Sequence, residues 1–324
     1  MTITRRMVIG VGAALATVPV RALAQSAPAD EVIDLWPASP PGAPGNKIAR
    51  KVEDQSRDPA KPDRWISGID RPFLVVRRPK HPNGTAMLVV PGGSYWFLSY
   101  DNEGVSQADW LNAQGVTAFI LMYRLPGEGW RQRENVPLQD AQRAMRLIRS
   151  RAQQFGIMPE RVGVLGFSAG GHLAGSLATC HAEPVYAPVD AADGLSARPD
   201  IAGLIYPVIS VDAPFTHEGS RAALLGQNPT EASRKARSVE LRVTDDTSPV
   251  FLMHAADDGA VPVANSIALF QAMQAKARPV ALHVFEHGGH GFGVRLPASE
   301  PASIWPTLFA AFVARHGIFP PQQH

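Results

Sequence analysis

The chain has 324 residues, of which 45% are hydrophobic and 19% charged, ordinary values for a globular protein with a large core. Its formal net charge is +2, with 31 basic and 29 acidic side chains; so even a balance gives no field for nucleic acid or an anionic membrane surface. A single cysteine, Cys180, excludes an internal disulfide and a cysteine-built metal cage.

Residues 1–24 read as an export leader. Arg5 and Arg6 open it, Met7 to Val18 is uncharged and apolar, and Ala22-Leu23-Ala24 supplies a small-residue cleavage site before Gln25. The paired arginines, the modest Gly- and Ala-rich run and Arg21 near its end resemble a twin-arginine signal, with a general secretory signal as the rival. Such an apolar run is too short to span a bilayer. Its removal takes Arg5, Arg6 and Arg21 and leaves 28 basic against 29 acidic side chains, a net of −1. The expected compartment is the periplasm or the outside of the cell, with no membrane partner after cleavage.

Residues 25–72 are rich in Pro, Gly and charge without a sustained period, and read as a surface segment with a short strand or two. From residue 73 onward apolar runs alternate with helical patterns. The expected strands are Phe73–Arg77, Ala86–Val90, Val116–Met122, Arg161–Phe167, Ile201–Tyr206, Val250–His254 and Val280–Phe285, mostly apolar on both faces as buried parallel strands are. The expected helices are Glu103–Ala113, Leu138–Gln154, Ala169–Cys180, Val263–Ala275 and Ala302–Ala314. In the second, Leu138, Ala141, Met145 and Ile148 share one face, and Arg143, Arg146 and Arg149 fall near the other. This alternation implies an α/β fold, a mostly parallel central sheet with helices on both faces in a three-layer sandwich. Residues 73–324 are expected to form one domain, with Cys180 as a small buried helix residue.

Gly166-Phe167-Ser168-Ala169-Gly170 matches G-x-S-x-G, between a buried strand and the start of a helix. Small residues at both ends let a serine sit on a strained strand-to-helix turn with its hydroxyl at the top of the sheet. That context marks Ser168 as the nucleophile of an α/β-hydrolase. A serine hydroxyl attacks an ester only with a base beside it and a carboxylate to orient that base, and in this fold they follow in the order Ser, acid, His. Phe285 to Gly293 is a Gly-rich loop after a strand, carrying His287 and His290. His290, with glycine on each side, is the expected base, and His287 the fallback. Asp257 and Asp258 follow the strand ending at His254. Adjacent side chains in a turn point apart, so one faces the histidine and the other is expected to cap the following turn or helix. The spacing His254-x-x-x-Asp258-x-x-Val261-Pro262 resembles hydrolases of this fold and selects Asp258.

Acyl transfer also needs donors aimed at the developing oxyanion. The backbone N–H of Ala169 is one. Gly93 and Ser94, in Pro91-Gly92-Gly93-Ser94-Tyr95-Trp96 after a buried strand, are candidates for the other, and the loop resembles the HGGG type. Tyr95 and Trp96 line the substrate pocket or belong to the core.

The match extends further, through Leu35-Trp36-Pro37 with Pro41-Gly42-Ala43, Tyr123-Arg124-Leu125-Pro126, Asp140-Ala141-Gln142-Arg143-Ala144, Tyr206-Pro207-Val208-Ile209-Ser210, His217 to Arg221 with Leu224-Leu225-Gly226, and Gly288 to Gly293. Together these resemble the acetyl-xylan-esterase-like branch of the bacterial α/β-hydrolases, related to dienelactone-hydrolase and prolyl-oligopeptidase-type hydrolases, from about residue 32 to about residue 315. The resemblance implies hydrolysis of short acyl, often acetyl, esters on plant-cell-wall sugars, with an oligosaccharide or small ester as substrate. Two positions depart from the pattern. Ser94 stands where many relatives carry a third glycine, a change that is harmless only if its φ is negative, and Ala255 replaces a glycine after His254. His217 to Arg221 read either as a pocket rim or as a structural loop in which Arg221 pairs a carboxylate, and Arg124 with Glu103 as a structural pair.

Rival functions fit less well. About 48 residues between the leader and Phe73 cannot build the extra domain of a prolyl oligopeptidase, a dienelactone hydrolase ordinarily has Cys where Ser168 stands, and a non-catalytic carbohydrate-binding relative would normally lack one of the three residues. A general short-chain carboxylesterase is the nearest alternative. No cofactor or metal is expected, since there is no dinucleotide fingerprint, phosphate loop or paired-His helix, and no motif specifies an oligomeric state.

Overall fold

Buried apolar runs dictate a sheet covered on both sides, and the computed structural model, which describes residues 31–58 and 61–319, has one. The leader segment lies outside the described residues. The strands are β1 (Glu31–Asp34), β2 (Lys51–Asp54), β3 (Arg64–Ser67), β4 (Phe73–Arg77), β5 (Ala86–Val90), β6 (Leu98–Ser99), β7 (Thr117–Met122), β8 (Val162–Phe167), β9 (Ala202–Ile205), β10 (Val250–Ala255) and β11 (Val280–Phe285). The helices are α1 (Ser106–Ala113), α2 (Val136–Ser150), α3 (Ala152–Phe155), α4 (Ser168–Cys180), α5 (Glu218–Leu225), α6 (Glu231–Arg237), α7 (Ala264–Ala275) and α8 (Trp305–Arg315). Among the described residues eight strands form the main sheet, in the order β1-β4-β7-β5-β8-β9-β10-β11, and β2, β3 and β6 form a small antiparallel sheet.

From β7 to β11 every neighbouring pair is parallel. Two expected strands differ from the buried parallel type. β4 runs antiparallel to both its neighbours, and β11 is a half-exposed edge strand. The faces can be told apart at β9, where successive side chains point to opposite sides. A Cβ on Gly203 would meet Phe309 of α8, whereas Leu204 reaches Gly175 of α4. Helix α1 packs beside α8 through Trp110 and Trp305. The sheet therefore lies between a layer holding α8 and a layer holding α4.

The chain leaves β5 toward β7 on one side and then places β8 on the other side of β5. Loops after β5 and β8 consequently diverge, opening a crevice at the carboxyl ends of the strands, where ligands bind in open α/β sheets. The register brings Val90 level with Gly166, Phe167 with Ile205, and Ala255 with Phe285. Residues 91, 168, 206, 256 and 286 thus emerge at one end of the sheet.

The segment before Phe73 does more than wrap the surface. β1 adds an edge to the main sheet, and Leu35, Trp36 and Ile69 are buried. Trp36 Nε1 donates to Asp140 Oδ1 at 2.8 Å, and Asp140 forms a forked ion pair with Arg124, both side chains being fully buried. Arg124 also donates to the Pro41 carbonyl, so one guanidinium fastens the segment to β7 and α2. Glu103 takes no part; the expected Arg124–Glu103 pair is replaced by Arg124–Asp140. Arg143, placed by periodicity near a polar face, is buried, donates to the Leu35 carbonyl and pairs with Asp190 and Asp193. The loop after α4 covers what would otherwise be solvent-facing. Cys180 is buried at the end of α4.

Breaking the buried pair leaves an uncompensated cation. Asp140→Ala is expected to lower unfolding free energy by about 3–5 kcal/mol in a urea titration. Asp34→Ala, which removes an exposed partner of Arg71, is expected to change it by less than about 1 kcal/mol.

Candidate active site

β8 runs directly into α4, and the junction places Ser168 at φ +53°, a strained value for a non-glycine residue. The flanking glycines are required by space. A Cβ on Gly166 would sit 2.4 Å from the Gly170 carbonyl oxygen, and one on Gly170 would sit 2.2 Å from that of Val90. The helix start is pressed against both β8 and β5, and any side chain at either position would push the turn away.

His290 reaches the turn from the loop after β11. Its Nε2 lies 2.9 Å from Ser168 Oγ, and its Nδ1 lies 2.7 Å from Asp258 Oδ2. A carboxylate only accepts, so Nδ1 carries the proton and Nε2 is left to accept from the serine hydroxyl. Asp258 Oδ1 accepts from the backbone N–H groups of Ala260 and Val261, and His254 Nε2 is 3.3 Å from Oδ2. Burial alone would raise the Asp258 pKa, but hydrogen bonds from His254, His290 and Val261 outweigh it and hold the carboxyl well below the usual carboxylate range. It is thus ionised wherever the imidazole needs a counter-charge.

The neighbouring acid has a different task from the one expected. Asp258 itself caps the turn that follows, while Asp257 reaches back to the histidine loop, accepting from Gly289 N–H at 2.8 Å and lying 3.2 Å from His287 Nδ1. His287 is exposed and is not joined to Ser168. His217 accepts from Ser220 N–H as the N-cap of α5, and Arg221 pairs with Glu218, so this stretch is the first turn of a helix, with His217 within electrostatic reach of His290 and Asp258.

The loop after β5 carries Gly93 and Ser94, the two candidates for an oxyanion donor. Gly93 and Ser94 line the same cleft as Ser168 and His290. Ala169 is buried in the first turn of α4, where an N–H has no intrahelical acceptor. The condition for an unstrained Ser94 is not met: Ser94 has φ +55° and Tyr95 φ +63°. Two successive left-handed non-glycine residues need an anchor, and Tyr95 supplies it. Its ring is buried rather than lining the pocket, and its hydroxyl is 2.8 Å from His172 Nδ1 on α4. His172 Nε2 faces the Arg237 carbonyl at 2.8 Å and must donate to it, so Nδ1 accepts from Tyr95. The loop after β5 is thereby tied to α4, the helix that begins with Ser168.

The cleft, about 240 Å³ in volume, is walled by Trp65 and Phe97, whose rings stack at 3.9 Å, with Asp63, Ser99 and Asn102 as polar lining. Trp96 is half exposed and is not part of this lining. The aromatic wall therefore comes from Trp65 and Phe97 instead of Tyr95 and Trp96. Trp65 lies in the segment before the expected domain, where no period in the sequence marks it.

A family model described as BD-FAE matches residues 74–273. The chain belongs to the BD-FAE family. Among its curated relatives, an acetylxylan esterase of Xylanibacter ruminicola is 35% identical over 235 residues, 70% of this chain and 45% of the relative. Endo-1,4-beta-xylanase B of Butyrivibrio fibrisolvens is 38% identical over 208 residues, 64% of this chain and 32% of the relative. The chain spans less than half the length of these two relatives. Among solved structures, an acetyl ester-xyloside bifunctional hydrolase from Caldicellulosiruptor lactoaceticus superposes with a TM-score of 0.72 at 35% identity, covering 90% of this chain and 98% of that one. The α/β-hydrolase fold of the BD-FAE chain and its likeness to the acetylxylan-esterase branch stand on these matches.

Burial, the largest influence on His172, pushes its pKa from 6.5 down to about 4. The unfolded chain binds this proton at an ordinary histidine pKa and the folded chain does not, so stability is full above pH 6.5 and is withdrawn as the pH falls toward 4. His172→Gln is expected to flatten the dependence of unfolding free energy on pH across that window, by about 3 kcal/mol at most. Denaturant titrations at pH 7, 5.5 and 4.5 measure it; an unchanged slope would mean that His172 titrates normally.

Proposed function

We propose that this protein is a serine carboxylesterase that removes short acyl groups, acetyl foremost, from xylan-derived or related cell-wall carbohydrate, acting outside the cytoplasm. The observation that carries the reading is the unbroken hydrogen-bonded line from Ser168 Oγ through His290 to Asp258, at 2.9 and 2.7 Å. Family membership and the resemblance to an acetylxylan esterase support the substrate class. Export is inferred from the leader-like sequence of residues 1–24 alone.

In the proposed reaction Ser168 Oγ attacks the ester carbonyl carbon while His290 Nε2 takes the hydroxyl proton. The oxyanion of the tetrahedral intermediate lies against the backbone N–H groups of Ala169 and of Gly93 or Ser94. Collapse breaks the bond to the alkoxy oxygen, and His290 returns the proton to the departing sugar hydroxyl. Water, deprotonated by His290, then attacks the acyl carbon; collapse breaks the bond to Ser168 Oγ, which takes the proton back from His290, and the carboxylic acid leaves. Asp258 holds Nδ1–H throughout and offsets the imidazolium charge.

The cleft beside Ser168 and His290 is about 240 Å³ in volume, room for a short acyl group, and the likeness to an acetylxylan esterase supports acetyl. With aryl esters, kcat/KM is expected to be highest for acetate and to fall for butyrate and longer chains; acetylated xylo-oligosaccharides are expected to be deacetylated. Turnover of aryl acetates alone would reassign the protein as a general short-chain esterase.

Ser168→Ala is expected to abolish aryl acetate hydrolysis with the fold intact by circular dichroism. Asp258→Asn should lower kcat by about 10³–10⁴-fold, and Asp257→Ala by no more than a few-fold. Persistent turnover in the Ser168 variant would refute the mechanism.

A further inference from the structure

The hydrolytic scheme leaves one buried carboxylate of the cleft without a role. Glu103 is 3% exposed and lines the cleft with Ser168 and His290. It belongs to a single π-helical turn, Asp101–Val105, that leads into α1, a distortion often found at functional sites. Its Oε2 accepts from Gly92 N–H at 2.7 Å, and its Oε1 accepts from the Tyr206 hydroxyl at 3.0 Å. Tyr206 Oη in turn accepts from Gly293 N–H at 3.0 Å, so its own proton must go to Glu103. Both contacts are donors to the carboxyl, the arrangement an ionised carboxylate satisfies. Burial pushes the Glu103 pKa up, opposed by His290 and by the two hydrogen bonds.

These partners belong to the two loops that must stay in register for the reaction. Gly92 directly precedes Gly93 and Ser94, and Gly293 is three residues after His290. The Tyr206 ring packs on His290 and on Phe292, with centroids 4.9 and 4.8 Å apart. Neither loop is rigid by its own chemistry, since Gly93, Gly289, Gly291 and Gly293 all have left-handed φ values. The same turn reaches the histidine loop a second time, through Asn102 Nδ2 donating to the Gly291 carbonyl. A Cβ on Gly92 would lie 2.7 Å from Glu103 Oε2 and 2.8 Å from the Ser168 Cβ, so carboxylate, loop and nucleophile are packed without space between them.

We propose that Glu103 and Tyr206 are positioning residues that lock the oxyanion loop to the histidine loop, resting on the esterase reading above. The carboxylate holds Gly92 N–H with one oxygen and Tyr206 with the other. A glutamine offers one acceptor oxygen and turns an N–H toward the second donor. Phenylalanine at 206 keeps the ring against His290 and cuts the link alone.

The test compares wild type, Glu103→Gln and Tyr206→Phe with an aryl acetate, each kcat being normalised to sites counted by the burst amplitude of an aryl phosphonate. Glu103→Gln is expected to lower kcat by about 10–100-fold, the scale of a catalytic group displaced by an ångström, with KM within about threefold. Tyr206→Phe should lower kcat by about tenfold in the same manner. Inhibition by an acetone-type trifluoromethyl ketone, whose Ser168 adduct needs both loops in place, should weaken in step with kcat/KM. The proposal is overturned if normalised kcat stays within twofold of wild type in both variants, or if the ketone binds them unchanged. Tyr206→Phe decides alone if Glu103→Gln does not fold. An inactive wild type would instead sink the esterase reading, and this proposal with it.

Discussion

The hydrogen bond between Ser168 Oγ and His290 Nε2 joins residues 122 positions apart, and its length is set by elements that have no chemistry of their own. Ser168 is placed by the close seating of α4 on β5 and β8, which leaves no room for a side chain at Gly166 or Gly170. His290 is placed by a Gly-rich loop that owes its path to Asn102 and Tyr206. Strain at φ +53° on Ser168 is tolerated because the strand on one side and the helix on the other are both buried.

Two kinds of polar burial share this structure. The Arg124–Asp140 pair, fully buried and extended by Trp36 and Pro41, closes the amino-terminal segment over β7 and α2. The groups around the cleft (Asp258 with His254, His172 with Tyr95, Glu103 with Tyr206) instead fix loop conformations. Asp258 is met by imidazoles and backbone N–H groups, His172 by the Tyr95 hydroxyl and a backbone carbonyl, and Glu103 by a backbone N–H and the Tyr206 hydroxyl, so their polar atoms are satisfied without a compensating Arg or Lys. This keeps cationic side chains out of the hydrogen-bond sets that surround the reacting atoms.

Much of the fold was legible because its strands are short apolar runs between helical periods, a pattern set by burial on both faces. Ser168, His290 and Asp258 were legible for a different reason: glycine spacing records where backbone must approach backbone, as at Gly166 and Gly170. What escaped were contacts whose partners are distant in sequence. Arg143 looked solvent-facing because periodicity sees a single helix and not the loop at Asp190 and Asp193 that covers it. Tyr95 looked like a pocket residue because its position beside the oxyanion loop is visible and the His172 hydrogen bond is not. Ser94 departs from glycine and still adopts φ +55°, since Tyr95 fixes the next residue. Trp65 was hidden in a segment without periodicity, and only the pairing of β3 with β6 brings it beside Phe97.

The central claim is that Ser168 bears the acyl group in the course of turnover. Rapid acid quench of the protein during hydrolysis of an aryl acetate, followed by proteolysis and mass spectrometry, tests it directly. The account predicts an acetyl group on the peptide containing Ser168, formed in the first turnover and absent when His290 is replaced by alanine. Steady turnover with no acylated peptide, or with the acetyl group on another residue, would contradict it.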